Sequence, residues 1–127
     1  MKIRDVDELE KLIGQLNSIH TEISALSKKS PNDAVNPFKI KFINTTISNC
    51  NKLLGKKYRP LDDFDVFILD DVPSNSDVTF IVAQYAEALE KFRADNIQRL
   101  KNSIYWRYVL EDSDEIIQTA RPAKLQK

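Results

Sequence analysis

The sequence predicts an all-α fold, a three-helix bundle in which an antiparallel helix 1/helix 2 hairpin packs on a long third helix. Three observations carry this. Leu9, Leu12, Leu16, Ile19, Ile23 and Leu26 follow at alternating spacings of three and four, the stripe of a helix lying along another helix. Asn36-Pro37 opens a second apolar stripe that runs to Gly55. From Ser76 to Glu111 there is neither Gly nor Pro, and apolar residues keep a helical period.

The first helix is predicted over about 6–28. Asp5 suits its N-cap, with Glu8 three residues on completing a capping box. The narrow leucine stripe fits a seam inside the chain, and also an intermolecular coiled coil. Gly14 interrupts it at a cost of about 1 kcal/mol against alanine.

Residues 28–36, rich in Ser, Lys, Pro, Asn and Asp, read as a loop. The second helix, about 37–54, starts with Asn36 as cap and Pro37 in the first turn, where a missing N–H does no harm. Ile40, Ile43, Ile47, Cys50 and Leu54 form its stripe, which Phe38, Phe42 and Leu53 widen. Gly55 is the expected stop.

Within residues 58–75, Pro60 and Pro73 bracket a stretch in which Phe64, Val66, Phe67, Ile68 and Leu69 alternate with aspartates. A lone strand lacks a partner. The expectation is an ordered, mostly extended acidic connector with one helical turn at 61–64, its aromatics plugging the bundle and its aspartates wet. A connection this long is often a binding loop.

The third helix is predicted over about 77–111, capped by Ser74 or Ser76, with Val78, Val82, Tyr85, Leu89, Phe92, Leu100, Ile104 and Tyr108 on its stripe. Such a rod is about 50 Å long against about 30 Å for each of the others, so its second half should overhang. Asn96 within the stripe reads as a register-fixing polar residue or a marginal one. A short C-terminal helical segment follows Asp112, so that one helical domain spans 1–120 and 121–127 form a flexible tail.

Composition bounds function mainly by exclusion. A chain of 127 residues is a single-domain length. Nineteen cations balance nineteen carboxylates, so no global charge draws it to nucleic acid or acidic lipid. The balance is uneven along the chain: residues 1–60 carry eleven basic and six acidic side chains, and 61–78 carry six aspartates and no cation. The single cysteine fits a reducing compartment, the charged N-terminus is no signal peptide, and no apolar run is long enough to span a bilayer. The expected location is the cytoplasm, with no membrane partner.

No catalytic, metal or cofactor site is predicted. His20, the only histidine, has no partner at ligand spacing, and Cys50 lies in an apolar stripe where burial blunts a thiol. The aspartates at 62, 63, 65, 70 and 71 lack the Gly and closing Glu of a calcium loop. With Gly14 and Gly55 alone, no Gly-rich phosphate cradle exists.

Function is therefore expected in the overhanging half of the third helix. Ile97, Leu100, Ile104, Tyr105, Trp106, Arg107 and Tyr108 are the predicted partner-binding residues of a non-enzymatic interaction subunit, acting as a homodimer or as a component of a larger assembly. The alternative is a nucleic-acid-binding accessory factor using Arg93, Arg99, Lys101 and Arg107 with Tyr105 and Trp106. A third reading is a small enzyme using the acidic connector with a metal.

Overall fold

The computed structural model describes residues 1–125. They form three helices, α1 (Ile3–Lys29), α2 (Pro37–Tyr58) and α3 (Asn75–Ala94), followed by a small antiparallel sheet of β1 (Ile97–Arg99), β2 (Trp106–Tyr108) and β3 (Gln118–Thr119) in the order β1-β2-β3. The fold is mostly helical, and the strands correct the all-α expectation.

Helix α1 begins earlier than the caps suggested. Lys2 is the N-cap, and Asp5, in the first turn, accepts the Lys2 amide at 3.1 Å. The Ile3 amide donates to Asp112 Oδ1 at 2.9 Å, so a carboxylate from the far end of the chain caps this helix. Val6, Leu9, Leu12, Leu16 and Ile23 are buried as one face; Ile19 flanks it and Leu26 reaches the surface.

Helix α2 starts as its sequence dictates. Asn36 Oδ1 accepts the Phe38 amide at 2.8 Å, and Pro37 takes the first position. Ile40, Ile43, Ile47, Cys50 and Leu54 are buried. Phe38 and Phe42 do not widen the buried stripe. They stand outside, edge to face at 4.9 Å, and Thr46 takes the buried position instead. Gly55, at φ 64 and ψ −172, breaks the regular helix before one last turn to Tyr58.

Lys39 pairs with Glu22 at 3.2 Å near one end, and Cys50 feels the charge of Glu8 near the other, so α1 and α2 run antiparallel. Tyr85 Oη donates to Asn51 Oδ1 at 2.7 Å and Tyr58 Oη to Asp95 Oδ2 at 2.8 Å, which sets α3 parallel to α2. Between them the connector runs back along the helices. Asn44 imitates a strand partner there: its amide donates to the Phe67 carbonyl at 2.9 Å and accepts the Phe67 amide at 2.8 Å. Phe67 is buried, Phe64 stacks edge to face on it at 5.0 Å, and Asp62, Asp63, Asp65, Asp70 and Asp71 stay exposed. A turn closes from the Phe64 amide to the Leu61 carbonyl, and a 3-10 turn forms at Leu69–Asp71.

The third helix stops at Ala94, well short of 111. Ser74 caps its start, accepting the Asp77 amide at 3.2 Å. At the other end the Asn96 side chain donates to the Phe92 carbonyl at 2.7 Å, and the Asn96 amide bonds the Arg93 carbonyl at 3.0 Å. Asn96 thus tightens and terminates the helix; it fixes no register. With 20 residues α3 is about 30 Å long, shorter than α1 (27 residues) and α2 (22 residues), so the expected overhang of the third helix is absent. The expected helical segment after Asp112 is extended chain instead, pairing through β3. Residues 121–125 are held by Pro122, which is buried, and by a 3-10 turn at Ala123–Leu125. The remainder of the expected tail, 126–127, lies outside the described residues.

Candidate functional site: the C-terminal hairpin

Ile97 to Tyr108 is a β-hairpin because its ends favour strand and its middle favours a turn. Ile, Trp and Tyr suit a pleated, half-buried surface, and Lys101-Asn102-Ser103 supplies the reversal. Asn102 takes the left-handed conformation at φ 58, which Asn tolerates better than most residues. The Leu100 amide donates to the Tyr105 carbonyl at 2.7 Å, and Ser103 Oγ accepts the Tyr105 amide at 3.0 Å.

The register pairs Ile97 with Tyr108, Gln98 with Arg107, and Arg99 with Trp106. Directly opposed residues share a face. Ile97 and Tyr108 therefore anchor the hairpin in the core, and Gln98, Arg107 and Gln118 form a polar row on the other face.

Tyr108 is pinned from two sides. Its hydroxyl donates to Glu10 on α1 at 3.4 Å and accepts from Thr119 on β3 at 3.5 Å. Burial pushes the phenol's pKa above its ordinary value, so Tyr108 stays neutral. Arg93 is the other anchor. At 6 % exposure it lies inside, forked against Glu90 at 2.7 and 2.8 Å. Its remaining donors reach Thr119 Oγ1 at 2.8 Å and the carbonyls of Ala120 and Arg121 at 2.6 and 3.0 Å.

The predicted site residues separate accordingly. Ile97 and Tyr108 are buried, Leu100, Trp106 and Arg107 are half-buried, and Arg99, Lys101, Ile104 and Tyr105 are exposed. Ile104 is 84 % and Tyr105 56 % exposed at the hairpin's end. Arg93 leaves the predicted cation patch altogether, because a helix ending at Ala94 turns it towards the C-terminal segment.

Elsewhere the chemistry is quiet. Burial, helped by Glu8, pushes the Cys50 thiol up to about 12, far from a reactive thiolate. Among the described residues no group of three or more His, Cys, Asp or Glu side chains is arranged to hold a metal ion. No helix among them is long and apolar enough to cross a membrane.

The chain matches no protein-family model, no curated protein and no solved structure.

The connector, expected as a binding loop, adds a second surface. The connector and the start of α3 form a cleft of about 300 Å³ whose lining mixes Val66, Ile68 and Pro73 with Asp63, Asp65, Asp71 and Asp77. The alternation of apolar residues with aspartates is its signal in the sequence.

Proposed function

We propose that this protein is a non-enzymatic interaction subunit whose contact surface is the end of the β1–β2 hairpin. The observation that carries this is the pairing of a firmly seated base with an apolar tip in water. Ile97 and Tyr108 hold the base, while Ile104 and Tyr105 project beside Arg99 and Lys101. An exposed isoleucine gains nothing for the isolated chain, and burying it against a partner gains about 2 kcal/mol. Aromatic and arginine side chains are the usual anchors of such contacts. The rigid base limits the ordering cost of binding.

The surface originally expected was a helix face; a hairpin serves the same role with a smaller footprint. The nucleic-acid alternative needs four cations together. With Arg93 inside, only Arg99, Lys101 and Arg107 remain, and Arg107 lies on the opposite face of the hairpin from Arg99.

The test compares wild type with Ile104→Asp/Tyr105→Ser by sedimentation velocity and by native pull-down. Both positions are exposed, so folding stability should change by less than about 0.5 kcal/mol. The double variant should lose whatever assembly the wild type forms. Identical assembly by both proteins, with the fold intact, overturns the reading.

A further inference from the structure

We infer that the partner of the hairpin is a second copy of this chain, and that the hairpin end docks in the cleft between the connector and α3. This rests on the hairpin being the contact surface, and it adds the identity of what it meets. The two surfaces match in size and chemistry. The cleft offers about 300 Å³, enough for one or two large side chains, with Val66 and Ile68 partly in water on its walls. Ile104 and Tyr105 are two such side chains, 84 % and 56 % exposed.

The charges are opposite. Asp63, Asp65, Asp71 and Asp77 line the cleft, and among the described residues only Asp65 of these is ion-paired, with Arg59 at 2.7 Å. Arg99 and Lys101 flank the tip, and they too make no ion pair among the described residues. Each copy thus carries an acidic socket with apolar walls and a basic plug with an apolar end. Opposite local charges of this kind steer association even where the net charge is zero.

A plug and a socket are different surfaces, so one contact is head-to-tail. Two copies that exchange plugs reciprocally close on a two-fold axis.

The decisive experiment is a charge swap on exposed positions. One variant carries Arg99→Asp/Lys101→Asp, the other Asp63→Lys/Asp71→Lys, and melting temperatures verify that both fold. Sedimentation equilibrium should show wild type above the 14.6 kDa monomer mass. Each variant alone should associate about 100-fold more weakly, because like charges then face one another. An equimolar mixture should recover association, since the basic plug of one variant meets the acidic socket of the other and the reversed pair is equally complementary.

Wild type that stays monomeric to about 1 mM, or variants whose mixture recovers nothing, overturns self-docking; so does a monomer whose cleft takes up an unrelated Lys/Arg-rich peptide instead. Failure here is separable from failure of the hairpin as a surface. A monomeric wild type that still loses a foreign partner on Ile104→Asp/Tyr105→Ser sinks only the second-copy assignment.

Discussion

Arg93 directs all five of its N–H donors into the molecule. Three reach residues 119–121 and two fork onto Glu90, which also accepts the Ala123 amide at 2.9 Å. One side chain therefore fastens the end of the described chain to α3. Arg93→Ala takes the cation from the part-buried Glu90 carboxylate and the donor from the Ala120 carbonyl, at an expected cost of about 3–5 kcal/mol in urea unfolding. Residues 118–125 should become the first site of limited proteolysis.

Glu90 makes the same clasp sensitive to acid. Burial raises its pKa, but the bonds from Arg93 and the Ala123 amide, with the Arg93 charge, outweigh it and hold the carboxyl below its ordinary 4.5. The unfolded chain then binds the proton more readily than the folded one. The stabilisation is complete above pH 4.5 and is lost as pH falls from there through the lowered folded value. Glu90→Gln should flatten the decline in urea midpoint over that window, leaving the share due to Asp95, which Tyr58 also holds low. An unchanged slope would contradict the clasp. None of this was visible beforehand, because the placement of Arg93 depends on where its helix ends.

At the scale of elements, the two glycines separate by backbone geometry. Gly14 sits in regular helix with nothing within 4 Å of a built Cβ, so Gly14→Ala should stabilise by about 1 kcal/mol. Gly55 has equal space but φ 64 and ψ −172, a region nearly confined to glycine; Gly55→Ala should cost about 1–3 kcal/mol. Thermal melts of the two variants should shift in opposite directions.

Helices α1 and α2 were legible because stripe, cap and stop agree in sequence. The connector was legible only in outline, as an extended acidic segment: Phe67 is buried, but Val66, Ile68 and Leu69 are exposed and the helical turn forms at Leu69–Asp71, not at 61–64. The end of α3 was not legible. Leu100, Ile104 and Tyr108 recur at helical spacing, yet Ile97 opposite Tyr108 and Trp106 opposite Arg99 satisfy strand pairing as well. Sequence period alone cannot separate these. The deciding groups are Asn96, which takes the Phe92 carbonyl, and Asn102, which accepts a positive φ. A Lys-Asn-Ser turn between β-favouring residues was the available signal.

On the scale of the whole molecule, the sheet sits where both ends of the described chain meet. The Glu111 amide donates to the Met1 carbonyl at 2.9 Å, and Asp112 caps α1. The hairpin is thereby braced on α1 through Asp112 and Tyr108 and on α3 through Arg93. The proposed contact surface is thus presented in one orientation, as a defined assembly would require. The contact proposed is made by the hairpin end. Its most direct test is the solution mass of the wild type against Ile104→Asp/Tyr105→Ser, by sedimentation over about 10 µM to 1 mM. The mass of the wild type should rise above 14.6 kDa, and the variant should stay a folded monomer. Two proteins with the same mass and the same partners at every concentration would contradict it.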